Sequence, residues 1–191
     1  MGEEAFARRY SLRPGTTEPL DLGQLRKEDI EAMGLKVVET KTAIEIIPGT
    51  YFTGNIERVT SFEKVPTIFQ IKRGETLEHD TFPGEQAVFF NVNGKGLVVL
   101  SGCAQCGIIN TIKQAQKSAG SNKVHAVMGG FHLINAKSAI IQATVAEIKA
   151  MKPDYIVPTH CTGFEAIVTF SKERPKEFVL NTAGTKYTFA A

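Results

Sequence analysis

The sequence predicts a single α/β domain of 191 residues. Three observations support this fold class. Short β-rich runs fill residues 36–101, strands and helices alternate through residues 102–191, and polar turns follow three of the later strands. Such alternation is typical of βαβ units, in which parallel strands are joined by right-handed crossovers. We therefore divide the predicted domain into residues 1–35, 36–101 and 102–191.

The first part is predicted to be an arm and a short helix. Residues 1–23 carry three arginines and two prolines with little periodicity, which indicates an irregular arm with a possible helical turn. The segment "QLRKEDIEAMG", residues 24–34, places a few apolar side chains among charges and ends in glycine. This pattern predicts a short surface helix.

The second part is predicted to be a meander of short strands. Glycine and proline bound each β-rich run, in "LKVVET", "TAIEIIPG", "TYFTG" and "PTIFQIKRG". The runs "QAVFFNV" and "GLVVL" are split by "NGKG", which predicts a hairpin.

The third part is predicted to alternate between strands and helices. Strands are expected at 97–101, 123–128 and 154–158, helices at about 107–119, 137–151 and 163–172, and short strands at "EFVLN" and "KYTFA". The turns "SGCAQC", "GGFH" and "PTHCTG" each follow a strand and precede a helix, so parallel pairing would place them along one rim of the sheet. We therefore expect Cys103, Cys106, His132, His160 and Cys161 to converge.

Composition excludes several classes of function. A net charge of +2, from 22 basic and 20 acidic residues, is too balanced for nucleic acid or an anionic membrane as the main partner. The longest apolar runs are too short to span a bilayer. The first residues lack the apolar segment of a secretory signal, and three cysteines form no evident disulfide framework. We expect a cytoplasmic protein.

The histidines of the rim are candidate metal ligands. Imidazoles and thiolates suit Zn²⁺, or Fe and Mn when carboxylates join them. His160, at a strand end, is either a ligand or a partner of its own loop backbone, and His132 is either a ligand or a buried, hydrogen-bonded side chain. We expect His125 to be structural, and His79 to be exposed or, beside Asp80, a contact for metal or substrate.

Cys103 and Cys106 have CxxC spacing, which allows three interpretations. They are a redox pair at a helix N-terminus, half of a zinc site, or small residues packed beneath a tight turn. The chain has no dinucleotide fingerprint, P-loop or GxSxG elbow. Arg8, Arg9 and Arg13 either hold an anionic group of a substrate or form a solvated basic arm.

Taken together, the motifs resemble one known family. "AFARRYSL", "IPGTYFTGNIERVTSFEK", "GLVVLSGCAQCGIINT", "VHAVMGGFHL" and "PDYIVPTHCTG" are similar, in this order, to metallo-β-lactamase-fold metallo-hydrolases. The branch concerned includes the archaeal-type 7,8-dihydropterin-6-methyl-4-(β-D-ribofuranosyl)aminobenzene-5′-phosphate synthases. The resemblance implies an αββα sandwich with a divalent metal, Zn or Fe/Mn, at the strand ends.

The resemblance also implies roles for individual residues. His160 would be the last metal-ligand histidine, Cys103 would stand where many relatives have a bridging Asp, and His132 would lie on the same rim. We predict contacts with a small-molecule substrate from five further residues: Arg8, Arg9, Gln105, Phe131 and Thr162.

Three departures from the family pattern qualify the expected activity. Gln105 stands where the turn GCSHAG has histidine, and Gly84-Glu85-Gln86 replaces DDQ. The N-terminal HxHxDH motif, which supplies most metal ligands, is missing, so we expect an incomplete sandwich that corresponds to the C-terminal half. Such a half would leave a sheet face or edge uncovered and would need a partner, either an N-terminal half or another copy of itself.

Three hypotheses follow for function. The first is a metal-dependent hydrolase or transferase-like polypeptide that is inactive until an N-terminal partner completes it. The second is a degenerate, non-catalytic paralogue that acts as a binding module. The third is a thiol-based function, either redox or a mononuclear metal site, built from Cys103, Cys106, His132 and His160.

Overall fold

A computed structural model describes residues 1–190. It contains ten strands and four helices among these residues. The strands are β1 (Arg9–Ser11), β2 (Leu20–Gly23), β3 (Ile44–Ile47), β4 (Thr50–Phe52), β5 (Phe69–Arg73), β6 (Thr76–His79), β7 (Val88–Val92), β8 (Gly96–Ser101), β9 (Val124–Gly130) and β10 (Tyr155–Thr159). The helices are α1 (Lys27–Ala32), α2 (Ile108–Ala119), α3 (Ser138–Met151) and α4 (Phe164–Glu173).

The larger sheet has six strands in the order β10-β9-β8-β7-β4-β3. Strands β8, β9 and β10 are parallel neighbours, whereas β7, β4 and β3 continue the sheet in antiparallel pairs. The predicted hairpin is confirmed, since Val88 pairs with Leu100 and Val92 with Gly96. Helices join the parallel strands, as the alternation in the second half predicts.

The main hydrophobic core lies between this sheet and the helices. Alternate strand residues such as Leu97, Val99 and Val127 point to the helical face, where they pack against fully buried side chains of α2 and α3, including Ile109 and Ile148. Alternation along a strand places every second side chain on one face, so the neighbouring residues point to the other.

The opposite face of the large sheet is covered partly by the C-terminal segment. Val98, Ala126 and Val157 form a second buried cluster there, with Val179, Tyr187 and Phe189 packed against it. The predicted strands at "EFVLN" and "KYTFA" are wrong. Their backbone makes only one isolated bridge, between Phe178 and Ile156. The segment contacts the sheet mainly through side chains that pack on it.

The smaller sheet has four antiparallel strands in the order β2-β1-β5-β6. The prediction of an irregular arm over residues 1–23 is therefore wrong for β1 and β2. These strands have three and four residues, too few for a periodic pattern. The pairing of β1 with β5, and of β2 with β1, supplies the hydrogen bonds that order them.

The segment "LKVVET" is also not a strand, contrary to the prediction. It lies instead along the start of the chain, where Thr40 N–H donates to the Met1 carbonyl at 3.0 Å. The other predicted strands and helices are present within a few residues of the expected bounds, so the α/β class is confirmed. No helix among residues 1–190 has the length and apolar character needed to cross a membrane.

Candidate metal centre

Three turns meet at the carboxyl ends of the adjacent parallel strands β8, β9 and β10. They begin after Ser101, Gly130 and Thr159, and they carry Cys103, His132 and His160. Ligands of open α/β sheets bind at this edge, because the loops there converge from several strands. We call these turns, taken together with the ends of their strands as residues 101–107, 129–135 and 159–163, the rim turns.

A cluster of two thiols and one imidazole lies on the rim turns. Cys103 Sγ is 3.0 Å from His160 Nε2, and one ligand atom each from Cys103, His160 and Cys161 lies within 4.8 Å of the others. Sulfur and imidazole nitrogen are the donors that Zn²⁺ prefers in proteins. The predicted convergence is thus observed for these three residues, which we call the thiol–imidazole cluster.

Gly130 gives the cluster the space that it occupies. A Cβ atom at this position would lie 2.5 Å from the Gly102 carbonyl oxygen, 2.8 Å from Cys161 Sγ and 3.2 Å from Cys103 Cα. Only glycine lets the β9 backbone pass so near both cysteines. Cys161 also donates to the Cys103 carbonyl at 3.1 Å, which ties the first and third rim turns together.

Each rim turn holds a non-glycine residue in the left-handed region of backbone conformation. The φ angles are 53° at Ala104, 49° at His132 and 51° at His160. Such conformations cost about 1–3 kcal/mol each and collect at functional sites, where the surrounding structure maintains them. The two rim histidines are therefore held in place at an energetic cost.

His132 lies beside the cluster and is not one of its three members. Its ring tilts against Phe69 at 5.8 Å, and its Nδ1 atom is buried without a hydrogen-bond partner among the described residues. Burial, together with the nearby His160, lowers the pKa of His132. The imidazole is therefore neutral at neutral pH, the form in which it binds metals.

Cys106 points away from the cluster. It is 1% exposed, its thiol faces the Phe82 carbonyl at 3.4 Å, and Arg58 Nη2 donates to the sulfur at 3.3 Å. Burial and the neighbouring Glu85 carboxylate raise the pKa of Cys106 to about 12. A redox thiol at a helix N-terminus has a lowered pKa, so the structure favours the packing interpretation of Cys106.

The two cluster cysteines are also protonated at neutral pH when no metal is bound. Burial raises the pKa of Cys103, and it raises the pKa of Cys161 to about 11. A bound cation reverses this preference, because metal binding displaces thiol protons.

The first rim turn is fixed by a half-buried carboxylate, Glu85, to which the sequence pattern assigns no role. Glu85 accepts hydrogen bonds from the backbone N–H groups of Gln105, at 2.6 Å, and Cys106. Burial raises the pKa of Glu85, and the two N–H groups oppose that rise. Glu85 belongs to the segment that differs from the family's DDQ, and this was the signal available from sequence.

A second carboxylate, that of the buried Glu63, caps helix α2 directly after the turn. Glu63 accepts from Ile109 N–H at 2.8 Å and Asn110 N–H at 2.9 Å. It satisfies backbone donors of the first helical turn and suits the positive end of the helix dipole. Gly107, with φ of 97°, leaves room for this carboxyl group, since a Cβ there would lie 2.2 Å from Glu63 Cδ.

Arg8 and Arg9, the two arginines predicted to contact substrate, have different environments. Arg8 is exposed and pairs with Asp21, whereas Arg9 Nε donates at 2.7 Å to Asp80, whose side chain is 0% exposed. Arg9 also lies over the Phe82 ring. Both Arg9 and Gln105 line a cavity of about 540 Å³ between the two sheets' loops, together with Tyr10, Phe69 and Phe82.

The remaining predicted substrate contacts lie in the interior. Phe131 is 1% exposed and packs edge-to-face on Phe170, and Thr162 accepts from Phe131 N–H at 3.1 Å while donating to Thr159 O at 2.7 Å. Here they support the second and third rim turns. Their direct contact with substrate, like that of Arg8, Arg9 and Gln105, stays a prediction.

The two other histidines lie away from the cluster. His125 is buried and its Nδ1 is 2.6 Å from Asp154, as expected of a structural residue. His79 is exposed at the end of β6, and the neighbouring Asp80 is committed to Arg9.

Two comparisons with known proteins bear on this site, and no protein-family model matches the chain. The chain is 37% identical over 167 residues to the 7,8-dihydropterin-6-methyl-4-(β-D-ribofuranosyl)-aminobenzene-5′-phosphate synthase of Methanocaldococcus jannaschii, a match that covers 85% of the chain and 56% of the synthase. An uncharacterized protein of the same organism is 32% identical over 75 residues, or 39% of the chain and 28% of that protein. The chain thus spans about half or less of these curated relatives.

The structural comparison covers the whole chain. A metal-dependent hydrolase of the β-lactamase superfamily, Tm1679, superimposes with a TM-score of 0.82 at 26% identity, over 100% of this chain and 70% of that one. The architecture of the described residues is thus that of a β-lactamase-superfamily hydrolase over most of the length of that protein.

Proposed function

We propose that this chain, which belongs to the metallo-β-lactamase-fold superfamily in the branch of the dihydropterin-linked synthases, contributes part of the active site of a metal-dependent hydrolase or transferase. The observation that carries the proposal is the position of His160 and Cys103, 3.0 Å apart where parallel strands end. The family resemblance assigns both residues, together with the neighbouring His132, to the metal site.

The residues on the rim fit a divalent metal. The donors are an exposed imidazole and a partly exposed thiol, and the neighbouring His132 has a buried Nδ1 atom without a partner. A metal bound here would supply Lewis acidity and a nucleophilic water at neutral pH. The chain's own part is to hold His160 in a strained backbone conformation and to keep His132 neutral beside it.

The cavity beside the first rim turn is the proposed substrate site. Arg9, held by Asp80 and stacked on Phe82, supplies a fixed positive group, and the Gln105 amide supplies a neutral donor and acceptor. Aromatic walls from Tyr10 and Phe69 would hold a planar ring. A reduced pterin is the compound class that the name of the Methanocaldococcus relative points to.

We further propose that the complete centre takes ligands from outside residues 1–191. The chain spans 56% of the synthase, and none of its four histidines forms the HxHxDH motif. Two apolar side chains beside the rim are exposed to solvent, Phe164 to 81% and Ile134 to 54%. Their exposure supports a covering element, either of the same polypeptide or of a partner.

Reconstitution tests this function. The chain would be mixed with the separately expressed part of the Methanocaldococcus synthase that lies outside the match, loaded with Zn²⁺ or Mn²⁺, and assayed with bis(p-nitrophenyl) phosphate as a general probe. We expect turnover by the mixture and none by either part alone. His160→Ala should abolish that turnover, whereas the matched change of exposed His79 to Ala should not. Turnover that survives His160→Ala would overturn the proposal.

A second candidate function, a non-catalytic binding module, is favoured by one observation. Gln105 replaces the histidine expected in this turn, and its Oε1 atom is buried without a partner among the described residues. Quenching of neopterin fluorescence by the chain would measure binding. Saturable binding that Arg9→Met weakens, together with no turnover in the reconstituted mixture, would favour this second function over the first.

A further inference from the structure

Cys161 is a potential donor that the family resemblance does not place at the metal. It follows His160 directly, and the short 3-10 turn His160–Thr162 turns both side chains toward Cys103. All three ligand atoms lie within 4.8 Å of one another, before any metal draws them together. Zinc ligands bind at about 2.0–2.3 Å, so ligand atoms around one ion lie roughly 3–4 Å apart.

We propose that Cys103, His160 and Cys161 form a mononuclear Zn²⁺ site that this chain holds without ligands from elsewhere. The inference deepens the proposed function, because it names the metal and gives the order in which the centre assembles. Two thiolates and one imidazole make a soft donor set, which selects Zn²⁺ over Mg²⁺ or Mn²⁺. Three protein ligands leave the fourth tetrahedral position open, as catalytic zinc sites require.

The surroundings of the cluster support a preformed site. Gly130 leaves the space in which Cys161 Sγ sits, and a Cβ there would displace it. A partner would then close over a zinc that is already bound and whose fourth position is still open.

Co²⁺ substitution tests the site directly, with the purified and reduced chain 1–191. We expect one Zn²⁺ per chain by elemental analysis, and in the Co²⁺ form a near-ultraviolet sulfur-to-metal charge-transfer band with visible bands of tetrahedral intensity. Cys161→Ser should lose about half of the charge-transfer intensity. It should also weaken Zn²⁺ binding by more than about 100-fold, which exceeds the loss that is typical when a residue around the ligands, and not a ligand itself, is changed.

Cys106→Ser is the matched control, because Cys106 lies in the same turn as Cys103 but points to Phe82 and Arg58. It should leave both the stoichiometry and the charge-transfer band unchanged. A second measurement needs no variant: mass spectrometry after alkylation should show that Zn²⁺ protects Cys103 and Cys161 together. Thermal melting would confirm that each variant is folded.

The proposal is overturned if the wild-type chain binds no Zn²⁺, if folded Cys161→Ser has the wild-type spectrum, or if Zn²⁺ protects Cys103 alone. These results do not depend on catalysis. Normal Zn²⁺ binding with no turnover in the reconstituted mixture would count against the proposed hydrolase only. Turnover that is indifferent to Cys161→Ser would count against the present inference only.

Discussion

His160 Nε2 lies 3.0 Å from Cys103 Sγ, although 57 positions separate the two residues in the chain. The contact exists because β8 and β10 flank β9 in parallel, so that the turns after all three strands open on one edge. Everything proposed for the site depends on how closely these turns can approach.

Gly130 sets that approach, and Gly130→Ala should therefore disturb both stability and metal binding. The new methyl group would overlap the Gly102 carbonyl and Cys161 Sγ. Overpacking of this kind costs about 1–3 kcal/mol of unfolding free energy. We expect a loss of that size in urea unfolding, with weaker Zn²⁺ binding measured on the folded variant.

Gly102→Ala is the matched control for this change. A Cβ at Gly102 meets no atom within 4 Å, although the residue lies in the same rim turns. It should change the free energy of unfolding by less than about 0.5 kcal/mol and leave Zn²⁺ binding intact. Equal effects of the two substitutions would show that the tight passage at Gly130 does not matter.

Periodicity and turn chemistry predicted the second half of the fold because the strands there are long and buried. β9 has seven residues, nearly all buried, and α2 and α3 have twelve and fourteen residues, enough to show helical spacing. Strands β1 and β2 have three and four residues. β1 is ordered by pairing with β5, in which Phe69 opposite Ser11 is 58 positions away, and β2 is ordered by pairing with β1. Pairing with distant segments cannot be predicted from the local sequence of such short strands.

The site was predictable as a location and less so as a set of contacts. The order of strand, polar turn and helix was enough to bring Cys103 and His160 to one rim. It could not show that Cys106, three residues after Cys103, turns inward, because its partners Phe82 and Arg58 come from segments distant in sequence. The roles of Glu63 and Glu85 depend on loops that are distant in sequence.

Replacement of Arg9 by methionine should lower the free energy of unfolding much more than the same replacement of Arg8. Arg9→Met would leave the buried Asp80 carboxylate without its ion-pair partner, which typically costs about 3–5 kcal/mol. Arg8→Met breaks an exposed pair with Asp21, worth at most about 1 kcal/mol. Urea unfolding with an unchanged m-value would measure both differences. A similar small loss for the two variants would mean that Arg9 has no structural task.

Glu85→Gln should loosen the first rim turn. An amide offers one acceptor oxygen where the carboxylate offers two, so one of the N–H groups of Gln105 and Cys106 would face a second donor. The expected loss is about 1–3 kcal/mol of unfolding free energy. Glu18→Gln, a change of the same kind at an exposed position, should have almost no effect in the same urea titration. Equal stability of the two variants would contradict the role given to Glu85.

Glu63 should make stability fall as pH rises through the mildly acidic range. Burial raises its pKa above the ordinary 4.5, so the folded chain binds more protons than the unfolded chain between 4.5 and the higher folded value. Stability decreases with pH wherever the folded state holds more protons, by up to about 1.4 kcal/mol per pH unit for one group. Glu63→Gln removes this titration. Its unfolding free energy relative to wild type should therefore increase from pH 4.5 upward and level off once the folded carboxyl group has ionised.

The difference in unfolding free energy between Glu63→Gln and wild type has a size and a pH dependence, and the two have different causes. The amide cannot accept from both Ile109 and Asn110, so the variant should be less stable than wild type at the acidic end as well, by about 1 kcal/mol. Only the slope depends on the pKa. Glu173→Gln, at an exposed position at the end of α4, should give a flat difference over the same series of urea titrations. A flat or falling difference for Glu63→Gln would mean that hydrogen bonds from the start of α2 outweigh burial and keep the carboxylate charged in the folded chain.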